Sequence, residues 1–291
     1  MFAGTHTALV TPFQNDQFDE TAFTRLIEAQ IHAGITGIVP VGTTGESPTL
    51  DYDEHARVIE LAVQVASKRC QVIAGTGSNS TSEAIALTQK AESLGADAAL
   101  LVAPYYNRPT QEGLFLHFSK IAESTRLPLM LYSIPGRCGV EIAVETVVRL
   151  AQRFPNVVSI KEAGGSVERV SQLRSALPPS FEILSGDDSL TVPFMSVGAV
   201  GVVSVASNVV PAKVVRLVQA ALSGDYATAR SVHFELYPLF KDLFIESNPV
   251  PAKAVLAKLG QMQPEVRLPL APIAPANWAK LESTLRSVGI L

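Results

Sequence analysis

Short runs of Val, Ile, Leu and Ala alternate along the chain with longer stretches whose apolar residues recur at helical spacing. A continuous apolar run suits a strand buried on both faces, and its alternation with amphipathic helices predicts βα units around a parallel sheet. Eight strands are expected, at Thr7–Val10, Gly37–Val41, Gln71–Ala74, Ala98–Val102, Leu129–Tyr132, Val157–Lys161, Glu182–Ser185 and Gly201–Val205, spaced about thirty residues apart. The helices between them are expected at Glu20–Ala33, Asp53–Ser67, Ser82–Leu94, Gln111–Ser124, Val144–Phe154 and Val167–Ala176, several preceded by an Asp, Ser or Thr able to cap them. This regularity predicts an α/β fold, a (β/α)8 TIM barrel. An open doubly wound sheet would bring a Gly-rich phosphate turn after the first strand, where the chain has Thr11-Pro12-Phe13. Beyond Val205 the pattern is helical from Pro211 to Gly260 and from Ala276 to Ser287, with a Pro-rich extended connector at Leu268–Pro275. The expected division is a catalytic barrel over residues 1–223 and a C-terminal helical region over 224–291.

With 291 residues, 47% of them hydrophobic, the chain is long enough for one large core. A net charge of −4 without any run of Lys or Arg excludes the electrostatic footprint of a nucleic-acid binder and favours small-molecule work. Met1–Pro12 has neither the basic nor the apolar segment of a leader, and runs such as Val197–Val205 are too short and Gly-broken to span a bilayer. A cytoplasmic protein with no membrane partner is expected. Cys70 and Cys138, the only cysteines, read as reduced thiols.

In a barrel of this kind the reactive residues end the strands at the C-terminal mouth. Side-chain alternation in Val157-Val158-Ser159-Ile160-Lys161 is expected to turn Val157, Ser159 and Lys161 inward and Val158 and Ile160 toward the helices. A lysine desolvated at the mouth loses pKa and gains the neutral amine that attacks a carbonyl. The bland alternative is an internal salt bridge to Glu162 or Asp187. Tyr132 ends the preceding strand in the same sense, next to Lys161, where a phenol serves to shuttle protons for imine chemistry; the alternative there is a packing tyrosine. The loop Gly42-Thr43-Thr44-Gly45-Glu46-Ser47 offers backbone amides for a carboxylate, and Arg137 offers a guanidinium fork. The five histidines form no metal-binding pair, and Gly75-Thr76-Gly77-Ser78-Asn79 is only half a dinucleotide fingerprint, so neither a metal nor a cofactor is expected.

Taken in order, Gly42–Ser47, Gly75–Gly77, Tyr105-Tyr106-Asn107-Arg108-Pro109, the strand ending at Tyr132, Ile160-Lys161-Glu162-Ala163 and Ser185-Gly186-Asp187-Asp188 resemble the dihydrodipicolinate synthase pattern of the N-acetylneuraminate lyase superfamily, nearly end to end. The resemblance implies that Lys161 forms an imine with pyruvate and that Thr43, Tyr106 and Tyr132 form a proton relay. It implies that backbone groups of Thr43 and Thr44 hold the pyruvate carboxylate, that Arg137 meets the carboxylate of L-aspartate 4-semialdehyde, and that Gly186 and Val203 line the site. The product would be 4-hydroxy-tetrahydrodipicolinate, on the way to diaminopimelate and lysine. Tyr106 would reach the site from a neighbouring subunit, implying a homodimer or homotetramer. A lysine effector site would match Ser47, His55, Asn79, Glu83 and Tyr105, although Pro48 and Tyr52 depart from the lysine-sensitive pattern. Ser133, Gly136 and Cys138 also depart from the common synthase residues.

Three rivals stand beside this reading. A Schiff-base lyase of a 2-keto-3-deoxy sugar acid or N-acetylneuraminate shares the lysine, tyrosine and barrel, and Arg137 argues against it. A non-catalytic keto-acid sensor would leave a buried lysine with its desolvation cost uncompensated. A phosphate-gripping isomerase would not follow Gly186 with Asp187 and Asp188.

Overall fold

A computed structural model describes residues 1–291. Eight parallel strands close into a barrel: β1 (Gly4–Ala8), β2 (Gly37–Val39), β3 (Gln71–Gly75), β4 (Ala98–Val102), β5 (Leu129–Ser133), β6 (Val157–Glu162), β7 (Glu182–Ser185) and β8 (Gly201–Ser204). Each pairs with the next in chain order, and β8 returns to β1. The outer layer is α1 (Glu20–His32), α2 (Tyr52–Ala66), α3 (Thr81–Ser93), α4 (Gln111–Glu123), α5 (Val144–Arg153), α6 (Val167–Ala176), the five-residue α7 (Thr191–Met195) and α8 (Pro211–Leu222). Three more helices follow, α9 (Tyr226–Asp242), α10 (Val250–Lys258) and α11 (Pro275–Ser287). Asp19, Asp51, Ser80, Thr110 and Ser166 cap the helices they precede, and Asp51 forms a full capping box with Glu54. No helix is long and apolar enough to cross a membrane.

Strand side chains divide between two cores. Leu129, Leu131 and Ile160 join the large core between sheet and helices, while Met130, Tyr132, Leu184 and Val203 join a smaller one inside the barrel. One expectation fails here. The β5/β6 register runs Leu129↔Val157 and then Met130↔Ser159, a bulge that skips Val158. Val157 therefore packs outward and Val158 against the inner cluster, the reverse of the strict alternation expected. Beyond the bulge the alternation resumes, so Lys161 keeps its inward place.

The first strand also lies earlier than Thr7–Val10. It begins at Gly4 and buries the polar residues Thr5, His6 and Thr7, where an apolar search does not look. The Thr7 hydroxyl donates to Gln30 at 2.7 Å and His6 Nε2 donates to the Phe2 carbonyl at 2.8 Å, while His6 Nδ1 is left without a partner. After β1 an unexpected hairpin, Phe13–Gln14 against Gln17–Phe18, turns through Asn15 and Asp16 with φ of 53° and 61°.

Candidate active site

The β5/β6 pairing sets Tyr132 directly beside Lys161, as the alternation at the two strand ends predicts. Lys161 is 6% exposed and its Nζ lies 4.1 Å from the centre of the Tyr132 ring. Neither acid proposed as its salt-bridge partner takes it. Glu162 accepts from Arg169 Nε at 2.8 Å and from the Gly164 amide at 2.6 Å, and Asp187 caps Ser189. Lys161 makes no ion pair. Burial lowers its pKa to about 7; the Asp188 charge opposes that shift, and Arg137 adds to it. A neutral amine is therefore within reach near pH 7.

Burial also pushes the Tyr132 phenol well above its ordinary value, with Arg137 and a hydrogen bond from Thr43 pulling the other way. Tyr132 thus keeps its proton at neutral pH and shares the wall of one cavity with Thr43. Gly186 leans on the lysine stem: a Cβ there would sit 3.1 Å from Lys161 Cε and 2.7 Å from Ala163 Cβ, so any side chain would displace the amine. Asp188 is fully satisfied as a buried acceptor, taking hydrogen bonds from the Ser204 hydroxyl and the Val205 and Ala206 amides. Burial raises its pKa to about 6.

Above this pair opens a cavity of about 210 Å³ lined by Thr43, Tyr132, Arg137 and Cys138 among others. Thr43–Gly45 forms one turn of 3₁₀ helix. As the first amides of such a turn, those of Thr43 and Thr44 have no carbonyl to meet within it, and they suit an anion. Strain marks the same loop: Val41, a β-branched residue, has φ 49° and Glu46 φ 55°. Arg137 stands on a short helix, Pro135–Cys138, with Nη2 3.5 Å from the Asn248 carbonyl. Val203 lies in the inner cluster. Of the candidate residues Thr43, Tyr132 and Arg137 line the cavity, whereas Lys161, Thr44, Gly186 and Val203 are not among its lining residues, and Tyr106 is 90% exposed with φ 72°.

A second cavity of about 380 Å³ is lined by Ser47, Tyr52, His55, Glu83 and Tyr105. It shares Ser47, Pro48, Gly75, Gly77 and Tyr105 with the first. Asn79 stays behind its wall, donating to the Tyr105 carbonyl at 3.2 Å. Sequence reasoning missed Asn248, whose side-chain amide donates to Thr44 Oγ1 at 2.8 Å. The two residues are 204 positions apart, and nothing in the local sequence of Asn248 announces the contact.

Residues 1–288 match the model of the Dihydrodipicolinate synthetase family. A 4-hydroxy-tetrahydrodipicolinate synthase of Geotalea uraniireducens is 51% identical over 291 residues, covering all of both chains. The solved 4-hydroxy-tetrahydrodipicolinate synthase of Methylacidiphilum fumariolicum SolV superposes with a TM-score of 0.98 at 60% identity, covering 99% of this chain and 96% of that one. A dihydrodipicolinate synthase of Cyanidioschyzon merolae, solved with lysine bound, superposes with a TM-score of 0.96 at 40% identity over 100% of this chain and 99% of that one.

Proposed function

The chain belongs to the dihydrodipicolinate synthetase family, and on that footing we propose that it condenses pyruvate, held as an imine on Lys161, with L-aspartate 4-semialdehyde to give 4-hydroxy-tetrahydrodipicolinate and water. The observation that carries this reading is the buried Lys161 amine, free of any ion pair and set beside the Tyr132 phenol.

The neutral amine adds to the pyruvate carbonyl, and the resulting carbinolamine loses water once its hydroxyl is protonated. Tyr132 is the proton donor, resupplied through Thr43. The Thr43 and Thr44 amides hold the pyruvate carboxylate, which aims the ketone at Lys161. Loss of a methyl proton gives the enamine, whose carbon attacks the aldehyde. A carbon–carbon bond forms, and the aldehyde oxygen becomes the 4-hydroxyl. The amine of the second substrate then adds to the imine carbon, and departure of Lys161 restores the free enzyme. Arg137 faces the same cavity as Tyr132 and presents its guanidinium to the second carboxylate. Gly186 and Val203 shape the space around the lysine.

Tyr106 belongs to the relay only if it enters another copy's mouth, and its exposure together with its left-handed backbone supports that placement. We therefore assign the working state as a homodimer or a pair of dimers. The cavity lined by Ser47, His55, Glu83 and Tyr105 is the candidate effector site, with the Glu83 carboxylate as partner for a lysine ammonium; its walls shared with the catalytic cavity supply a route for inhibition. The unpaired thiols of Cys70 and Cys138 support a cytoplasmic setting, in service of diaminopimelate and lysine synthesis.

The test is product formation from pyruvate and L-aspartate 4-semialdehyde by wild type and by Lys161→Ala. Turnover by the first and none by the second is expected. Wild-type enzyme that consumes pyruvate with a sugar aldehyde but not with the semialdehyde would overturn the reading.

A further inference from the structure

One buried titratable pair plays no part in the reaction as described. Glu46 closes the Thr43–Gly45 turn from a left-handed backbone, φ 55°, and its side chain is almost wholly buried. Its carboxylate accepts from Lys253 Nζ at 2.6 Å and from the Arg267 backbone amide at 3.0 Å. Lys253, on α10, is completely buried, and its Nζ lies 4.3 Å from the centre of the Phe13 ring. The Arg267 guanidinium lies over the same ring at 4.2 Å and is moored in turn to Glu54 and Asp16. Two residues before α10, Asn248 holds the Thr44 hydroxyl. Thr44 in the carboxylate-gripping turn and Glu46 at its end are thus tied, side chain by side chain, to α10 and the residues just before it.

Desolvating an ammonium and a carboxylate is a poor way to gain stability, because apolar residues of similar volume hold two elements together as well or better. What the ion pair adds is direction. It fixes Glu46 Oε1 at one point and thereby the strained backbone that ends the turn. We infer that Lys253 is a positioning residue for the synthase reaction: through its ion pair with Glu46, the C-terminal helical region holds the Thr43–Gly45 turn in the conformation whose amides meet the pyruvate carboxylate. This rests on the assignment of that turn as the carboxylate grip.

Lys253→Met alone strands the Glu46 charge and threatens folding for that reason only, so the informative variant is Glu46→Gln/Lys253→Met, which removes both charges and keeps both volumes. Its thermal unfolding, its kcat and its separate KM values for pyruvate and semialdehyde are measured beside Thr44→Val, which alters the grip itself. Expected is a folded double variant whose pyruvate KM rises about tenfold or more, while its semialdehyde KM stays within about twofold. A folded double variant with wild-type pyruvate KM, alongside a Thr44→Val with raised pyruvate KM, would leave the grip standing and overturn the role of Lys253. Unchanged pyruvate KM in both would overturn the grip and the inference with it.

Discussion

Two lysines are buried at the mouth of this barrel and treated in opposite ways. Lys253 is enclosed with Glu46 at 2.6 Å and with the face of Phe13, whereas Lys161 has the face of Tyr132 and no carboxylate in ion-pair range. Burial lowers the pKa of both, but at Lys253 the Glu46 charge and hydrogen bond oppose it directly. The paired lysine is held against its carboxylate and serves as a tie. The unpaired one is left with a lowered pKa, as the proposed nucleophile requires. Burial alone does not make a reactive amine; what counts is which neighbours are withheld.

Exchanging each lysine for methionine sharpens that contrast most. Lys161→Met should abolish turnover and at the same time stabilise the fold by about 2–4 kcal/mol at neutral pH, since an uncompensated desolvation cost is removed. Lys253→Met should instead destabilise by about 3–5 kcal/mol because it orphans Glu46. Urea unfolding of the two variants reads both signs. Next in size is Tyr132→Phe, expected to lower kcat by about 10²–10⁴-fold by removing the proton donor while leaving pyruvate binding largely intact, as steady-state kinetics would show. Arg137→Met should lower kcat/KM for the semialdehyde by about 10–100-fold with little change in pyruvate KM, a loss of about 1.4–3 kcal/mol of charge-assisted binding.

The pH dependence separates the lysines more gently. Lys161 has a folded pKa of about 7, below its ordinary 10.5. The unfolded chain therefore holds this proton through a window in which the folded one has lost it. Its penalty to stability is full below pH 7 and fades as pH rises toward 10.5, so the stabilising effect of Lys161→Met should be largest below pH 7 and vanish at the alkaline end. Imine formation should climb as pH rises to about 7 and flatten above it; a rate still climbing at pH 9 would mean an unperturbed lysine.

Much of this arrangement was legible in the sequence because it depends on local periodicity. The parity of Leu129–Tyr132 and of Ile160-Lys161 places Tyr132 and Lys161 side by side, since their pairing lies beyond the β6 bulge. The bulge itself left no mark, because Val157 and Val158 are identical in type. The polar strand β1 escaped for a different reason: Thr5 and Thr7 are buried against partners such as Thr36 and Gln30 that only the folded chain brings to them. Contacts between the Thr43–Gly45 loop and Asn248 or Lys253 span more than two hundred residues, and no spacing rule reaches them. Tyr106 enters the candidate site only through the family resemblance; in its own chain it lies in solvent.

The most direct measurement is intact-mass and peptide-level mass spectrometry after borohydride reduction in the presence of pyruvate. One pyruvate-derived adduct per chain, carried by Lys161 and absent from Lys161→Met, is the expected result. An adduct on Lys253 or any other lysine, or no adduct at all, would contradict the assignment of Lys161 as the imine-forming residue.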